Sequence, residues 1–227
     1  MGNVSVLIYS CDAYSDVWQP FFTLFFKYWQ CPYKVYVTAE TAKCDYPNVE
    51  TINVNAGTWT ERIKLAVEKI PTKYVIGMCD DMFLRRGVLQ NVIDRCVVYM
   101  DGLPQIANVN FEKDYDGATG GSIARFGLKP QGRHFQKSCQ PTLWRKHALV
   151  ELLDCKCDPW QWEESEAPDK WDYYIFTGDI DDLVFEYGYR REKWFGIRKG
   201  KWVLEDVQPL FEREGIHVDF NERGIWK

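Results

Sequence analysis

The sequence has no Cys-x-x-Cys pair, no long apolar run and no strongly basic segment. Its eight cysteines are scattered, which argues against a zinc framework, because structural zinc sites bring their ligands in closely spaced pairs. No apolar run approaches the ~20 residues that a membrane span needs, and Val4–Tyr9 is too short for the apolar region of a signal peptide. We therefore expect a cytoplasmic chain with no membrane span and mostly free, buried thiols.

The net charge of −5 predicts no binding to DNA or RNA, since that binding depends on phosphate neutralisation by a basic face. A length of 227 residues fits one large domain better than two. Aromatic residues are abundant, with ten Trp, thirteen Tyr and thirteen Phe. They form either a thick aromatic core, which composition alone favours, or flat platforms for sugars or bases.

Hydrophobic patterning predicts alternating strands and helices in the first half of the chain. The predicted strands are 4–9, 34–38, 49–54 and 74–78. Helices are predicted over about 17–29, with Ser15 or Asp16 as its cap, over 60–70, with Thr58 or Thr60 as its cap, and over 88–99. Because strand, helix and strand follow one another with short returns, we expect parallel pairing.

The second half is less regular. It contains a candidate strand at 106–111, a glycine-rich loop or hairpin at 117–132, a helix over 143–153 and an acidic turn or helix at 160–166. A hairpin over 195–203 turns on Lys199 and Gly200, and a last helix over 206–214 is closed by Gly215. We predict an α/β fold in which a nucleotide-binding βαβ half, residues 1–103, precedes an irregular half, residues 104–227.

Two adjacent carboxylates, Asp80 and Asp81, follow the buried strand at 74–78. Such a pair is costly at the end of an apolar strand unless a cation meets it. Mn²⁺ or Mg²⁺ would neutralise the pair and bridge a diphosphate. The competing interpretation is a turn or helix cap. The apolar run 82–84 argues against a cap because it predicts a second short strand directly after the acids.

Other polar residues also follow predicted strands. These are the segments 10–12 and 38–40, together with the acid pair in 79–81. Ligands of open α/β sheets bind off the carboxyl ends of the strands. We therefore expect these three segments to converge on one crevice.

Taken in order, the motifs resemble a small nucleotide-sugar glycosyltransferase of the GT-A fold. The features that carry the resemblance are Ser10-Cys11-Asp12 after the first strand, Trp59 and Arg62 in the next helix, Cys79-Asp80-Asp81 as a variant Asp-x-Asp motif, Gln140-Pro141 before Trp144, Pro159-Trp160 with Glu163, and Gly200-Lys201-Trp202. The resemblance covers most of the chain. It implies a GT-A-like single domain, with a mixed, mostly parallel central sheet, helices on both faces and an acceptor-binding second half.

The resemblance implies roles for particular residues. Asp81 would bind Mn²⁺ or Mg²⁺, Asp80 would contact ribose or sugar hydroxyls, and Arg62 would lie near the ribose or the sugar. The donor-pocket residues would be Tyr9, Ser10, Asp12 and Thr38, with Lys201 on the diphosphate or the acceptor. The donor would be UDP-linked, since UDP is common for this fold, and the acceptor a growing glycan. Cys79 departs from the motif, because a thiol is a poor ligand for a hard cation.

Catalytic candidates depend on the stereochemical course, which the sequence leaves open. For an inverting reaction, Glu163 follows two tryptophans as a general base beside a sugar platform would, although 163–166 also fits a solvated acidic turn. For a retaining reaction, the resemblance offers Gln140 near the reacting carbon and His217 on the metal. A second Asp-x-Asp, at 179–181, predicts a helix N-terminus first and a metal or acceptor site second.

Two other functions are weighed against glycosyl transfer. A sugar-1-phosphate nucleotidyltransferase needs a glycine-rich, basic loop after the first strand, and the segment 10–14 has neither Gly nor Arg. A non-catalytic carbohydrate-binding protein would use the tryptophans but needs no adjacent acids at a strand end.

Overall fold

An eight-stranded mixed sheet forms the centre of the protein. The computed structural model describes residues 3–114, 117–121, 123–187 and 196–227. In chain order the strands are β1 (Val4–Tyr9), β2 (Lys34–Ala39), β3 (Val49–Asn53), β4 (Tyr74–Cys79), β5 (Ile106–Lys113), β6 (Phe126–Leu128), β7 (Thr142–Arg145) and β8 (Asp172–Phe176). They lie in the order β3-β2-β1-β4-β7-β5-β8-β6. Strands β6 and β7 run antiparallel to their neighbours, and the other pairs are parallel.

Helices cover both faces of this sheet. They are α1 (Trp18–Tyr28), α2 (Trp59–Lys69), α3 (Gln90–Gly102), α4 (Lys146–Leu152), α5 (Pro159–Glu164), α6 (Leu204–Glu214) and α7 (Phe220–Arg223), with a short hairpin of β9 (Ile197–Arg198) and β10 (Lys201–Trp202). One buried cluster joins the sheet to α1, α3 and α6, and a second joins it to α2, α4 and α5. The predicted class, an α/β chain with a mixed, mostly parallel central sheet and helices on both faces, is confirmed.

Strands β1 and β4 form as predicted because both of their faces are covered, so their mainly apolar runs are buried along almost their whole length. Thr58 caps α2 in a reciprocal pair with Glu61, as one of the two predicted caps. The cap predicted for the first helix at Ser15 or Asp16 is wrong. A 3₁₀ turn, Asp12–Val17, precedes α1, and Asp16 pairs with Arg223 instead.

Two further predictions are wrong because tertiary pairing overrides local pattern. The helix predicted over 143–153 begins as strand β7, which is hydrogen-bonded between β4 and β5, and becomes helical only at α4. The apolar run 82–84 is buried, but it forms no strand beyond a single bridge from Leu84 to Tyr187.

The C-terminal predictions have mixed outcomes. The second Asp-x-Asp starts no α-helix: only a 3₁₀ turn, Ile180–Asp182, follows, and it has no side-chain cap. The hairpin on Lys199 and Gly200 is confirmed by β9 and β10, although Phe195, its predicted start, lies outside the described residues. Gly215 ends α6 at a φ of 67°, as predicted. None of the helices in the described ranges is long and apolar enough to cross a membrane.

Candidate functional site

The carboxyl ends of β1, β2 and β4 meet at one edge of the sheet, as the sequence predicts. The backbone N–H of Ser10 donates to the Thr38 hydroxyl at 2.9 Å, and that hydroxyl donates to the Ser10 carbonyl at 2.9 Å. The Ser10 hydroxyl donates to the Asp80 carboxylate and accepts from the Trp18 indole N–H at 2.7 Å. Residues from three strand ends and from α1 are therefore joined in one network.

The two acids of the pair have different environments. Asp80 is 3% exposed and is satisfied by Ser10. Burial, and then the neighbouring charge of Asp81, raises the Asp80 pKa well above its ordinary value. The Oδ1 atom of Asp81 is buried and has no hydrogen-bond partner within the described structure. Burial, with a smaller contribution from Asp206, raises the Asp81 pKa to about 7.

An unpartnered carboxylate oxygen beside a second buried acid matches what a hard divalent cation requires. His217, the other metal candidate, lies exposed in the segment after α6. Across the described residues, no group of three or more His, Cys, Asp or Glu side chains is placed to hold a metal. The side chain that fits a cation best is therefore Asp81, with Asp80 next to it.

Asp12 fastens the loop that follows β2. Its carboxylate accepts from the backbone N–H groups of Glu40, Thr41 and Ala42 at 2.9–3.0 Å, and from the Thr41 hydroxyl at 2.6 Å. These bonds, the Thr41 hydroxyl first, lower the Asp12 pKa to about 2. The Glu40 carboxylate in turn accepts from the Asp12 N–H at 2.6 Å and pairs with Arg62. Asp12 and Arg62 thus shape the loop between β2 and β3 through bonds within the protein.

Tyr9 points away from this network, into the face of the sheet covered by α2 and α5. Its ring packs edge-on against Trp59 at 5.7 Å, and its buried hydroxyl has no hydrogen-bond partner among the described residues. Burial raises the Tyr9 pKa, with smaller contributions from Cys139, Cys79 and Glu163. Tyr9 therefore lies close to Glu163 beneath the crevice.

The catalytic candidates Glu163 and Gln140 lie at the same edge of the sheet. The Glu163 carboxylate accepts from the Cys139 N–H at 2.6 Å, and burial raises the Glu163 pKa. The Gln140 side-chain oxygen accepts from the Tyr187 hydroxyl. Burial raises the Tyr187 pKa, and the charges of Glu112, Asp81 and Glu163 add to it. Tyr187 thus connects the acid pair with the two catalytic candidates.

Lys201, the basic residue assigned to the diphosphate or the acceptor, is exposed on β10. Three other basic residues of the second half are engaged elsewhere. Lys199 lies over the Trp226 ring, Arg125 pairs with Asp182 at 3.1 Å, and Arg133 pairs with Asp114 at 2.8 Å.

Sequence reasoning missed Glu112, Tyr187, Tyr14 and Arg223. Glu112 lies near the end of β5, where the strand-end rule applied to the predicted strand 106–111 would have found it. Of these four residues, Arg223 carries a charge that acts directly on Asp80, and it lowers the pKa of that acid. No local sequence signal marks Arg223, because it reaches Asp16 across 207 positions of the chain.

No known family model and no curated relative matches the chain. Among solved structures, the chain is similar to the bifunctional IspDF of Campylobacter jejuni, with 15% identity, a TM-score of 0.46 and coverage of 79% of this chain and 51% of that one. It is similar to the mannosyltransferase PcManGT of Pyrobaculum calidifontis in complex with GDP-Man and Mn²⁺, with 10% identity, a TM-score of 0.45 and coverage of 78% and 57%. It is also similar to S. aureus TarS 1–349 in complex with UDP-GlcNAc, with 11% identity, a TM-score of 0.42 and coverage of 80% and 60%.

The chain spans between 51% and 60% of the length of these three structures. All three TM-scores are below 0.5. These similarities therefore assign no reaction to this chain, and its own side chains carry the evidence for its function.

Proposed function

We propose that this protein is a metal-dependent glycosyltransferase that moves a sugar from a nucleoside-diphosphate sugar to a glycan acceptor. The donor that we propose is a UDP-sugar. The observation that carries the proposal is the buried, unpartnered Oδ1 of Asp81. It lies beside Asp80 at the sheet edge where β1, β2 and β4 end. Ligands of open α/β sheets bind at that edge.

The metal in this proposal is Mn²⁺ or Mg²⁺, held by Asp81 with Asp80 beside it. Cys79 does not compete as a ligand, because a thiol is a poor ligand for a hard cation and the neighbouring Cys139 and burial raise the pKa of its thiol. A divalent cation bound there would neutralise the charge of the leaving diphosphate. It would also offset the cost of the buried carboxylates, which are otherwise close to each other and to Asp206.

The donor would lie along Ser10, Thr38 and the loop that Asp12 fastens. In this arrangement Asp12 and Arg62 hold the pocket wall, since their charged groups are bonded to the 40–42 loop. Ser10 is fixed from both sides by Trp18 and Asp80, so it presents a rigid edge to the donor. A preorganised pocket reduces the ordering cost of binding.

Glu163 is the proposed base for an inverting reaction. Burial raises the pKa of its carboxyl, which brings proton transfer nearer to neutral pH, where a general base works best. The Cys139 N–H orients its carboxylate, and the Ser138 side chain also lies within hydrogen-bonding reach of it. Gln140, bonded to Tyr187, is the proposed contact to the reacting sugar in a retaining course.

Thermal unfolding with a panel of nucleoside diphosphates, each with and without Mn²⁺, tests the proposal. We expect UDP with Mn²⁺ to raise the melting temperature, because a ligand that binds only the folded state stabilises it. Asp81→Ala should abolish this shift. Asp179→Ala, in the second Asp-x-Asp, is the matched control and should keep it.

Two results would count against the proposal. If no nucleoside diphosphate shifts the melting temperature with any divalent metal, glycosyl transfer from such a donor is refuted. If Asp179→Ala rather than Asp81→Ala removes the shift, the metal site is the acidic turn after β8. The same panel identifies the base of the donor.

A further inference from the structure

A separate cleft of about 620 Å³ lies between the start of α1 and the loop that precedes β3. Its volume falls within the range of about 300–1,000 Å³ that is usual for small-molecule sites. Trp18 and Tyr46 are the aromatic residues of its walls; Tyr46 is half-buried, and Trp18 is only 5% exposed. The Tyr46 ring stacks on Phe26, with the centroids 5.7 Å apart and the planes 10° apart. The Tyr46 side of the cleft is therefore held against α1.

Four polar side chains surround these aromatic walls: Lys43, Asp45, Ser15 and Gln19. All four are exposed. Within the described ranges, none of the four side chains has a hydrogen bond or an ion pair. This differs from the neighbouring crevice, where Asp12, Glu40 and Arg62 are bonded to one another or to the same loop. The rim of the cleft thus offers unused donors and acceptors side by side.

The chemistry of the rim selects a ligand class. Lys43 and Asp45 cancel in charge, so the rim has no net attraction for a phosphate or another multivalent ion. A single carboxylate is too few for a hard cation. A neutral ring that bears several hydroxyls needs both an acceptor and donors, which Asp45, Lys43, Gln19 and Ser15 supply. The apolar face of such a ring can pack against an aromatic side chain.

We propose that this cleft is a second carbohydrate-binding site, which takes a neutral sugar ring outside the crevice of Asp80 and Asp81. The proposed site does not require the transfer reaction, since none of its rim residues belongs to the acid network. The two sites adjoin through Trp18, which lines the cleft and donates its indole N–H to Ser10. That indole N–H consequently senses both sites, and the combined Lys43 and Asp45 variant is what assigns a shift to the cleft.

The test is a titration followed by ¹H–¹⁵N NMR, with the Trp18 indole signal assigned by Trp18→Phe. The probes are maltose, cellobiose and lactose, with uridine and inorganic phosphate as comparison ligands. We expect at least one disaccharide to move the Trp18 signal in a saturable manner. Lys43→Ala combined with Asp45→Ala should weaken that binding by about tenfold or more, because two hydrogen-bonding groups of the rim are lost.

The matched control is Lys34→Ala combined with Glu50→Ala, which removes an exposed ion pair between β2 and β3 outside the cleft. This control and Asp81→Asn should bind the disaccharide as the unaltered protein does. The proposal is overturned if no disaccharide moves the Trp18 signal, if the shift is unchanged in the Lys43 and Asp45 variant, or if only uridine or phosphate produces it. Failure of the UDP and Mn²⁺ shift would refute the proposed transferase and leave this result unaffected.

Discussion

Arg223 lies over the ring of Tyr14, with its guanidinium carbon 4.3 Å from the ring centroid. The same guanidinium bonds to the Asp16 carboxylate and donates to the Ala13 carbonyl at 2.7 Å. Burial raises the Tyr14 pKa to about 12, and the charges of Asp81 and Asp80 add to it. Helix α7 is therefore held against the 3₁₀ turn that follows β1, next to Asp80 and Asp81.

We predict that Arg223→Ala lowers the free energy of unfolding by about 2 kcal/mol, because a mostly buried guanidinium loses its ion pair, hydrogen bonds and ring contact together. Arg223→Lys should recover less than half of the loss, since an ammonium cannot reproduce the planar fork. Urea denaturation measures both. Lys34→Ala, from an exposed pair, should change the value by less than about 0.5 kcal/mol. An Arg223→Ala effect as small as this control would contradict the fastening role.

Glu214 gives a prediction for the pH dependence of stability. Burial alone would raise its pKa, but hydrogen bonds from Lys27, Tyr28 and Arg213 outweigh burial and lower the pKa to about 2. The unfolded value is about 4.3. A carboxyl with a depressed folded pKa contributes stability above its unfolded pKa and loses it as the pH falls towards 2.

We therefore expect the melting temperature to fall between about pH 5 and pH 2, and Glu214→Gln to flatten that fall. The measurement is thermal unfolding across this pH range. Glu212→Gln, an exposed position on the same helix, is the matched control. If Glu214→Gln and Glu212→Gln give the same acid slope as the unaltered protein, the three bonds to Glu214 carry no pH-dependent stability.

Most of the sheet could be predicted from the sequence because β1, β2 and β4 are buried on both faces and read as continuous apolar runs. Strand β7 could not. Its four residues run without a break into α4, so the sequence shows no boundary, and pairing with β4 and β5 defines them as a strand. Such pairing joins distant segments, so no window of the sequence contains the information that decides it.

The candidate site divides in the same way. Ser10, Thr38 and Asp80 were predicted to meet because all three follow parallel strands, and this rule depends only on strand order. Tyr187 and Arg223 follow no predicted strand. They reach the crevice through packing of the irregular second half. Hydrophobic periodicity does not predict that packing. The bonding of Asp12 to the 40–42 loop also required the structure, since a sequence does not show from which donors a carboxylate already accepts.

Gly77 and Tyr9 yield a stability prediction from steric contact. A Cβ at position 77 would overlap the hydroxyl of Tyr9, which lies across β4. Gly77→Ala should lower the free energy of unfolding by about 1–3 kcal/mol, the usual cost of overpacking a core. Tyr9→Phe alone should be neutral or stabilising, because it removes a buried hydroxyl that has no partner in the described structure.

The combination of Gly77→Ala with Tyr9→Phe should cost somewhat less than the sum of the single changes, because the closest overlap, with the hydroxyl, is removed while the ring carbons Cζ and Cε2 still lie within 2.9 Å of the added Cβ. A double-mutant cycle in urea measures this coupling. Strict additivity would show that the alanine is accommodated by movement of β4 rather than by displacement of the Tyr9 ring.

Substitution of Glu163 separates an effect on the chemical step from an effect on donor binding. If its carboxylate is the general base, Glu163→Gln should reduce the turnover number by about 10²–10⁴-fold and leave the UDP and Mn²⁺ thermal shift in place. The assay is release of UDP from a panel of UDP-sugars. Because burial raises the Glu163 pKa, activity should rise with pH through a pKa above the ordinary range of a glutamate carboxyl. The acid limb should disappear in the residual activity of the Gln variant.

Glu164→Gln is the matched control, since Glu164 is the next residue and is exposed. It should retain full turnover and the same pH profile. Equal losses in the two variants would indicate a general effect of α5 on the fold. An unchanged turnover in Glu163→Gln, together with a large loss in Gln140→Ala, would instead favour the retaining course, in which no carboxylate base is needed and Gln140 contacts the reacting sugar.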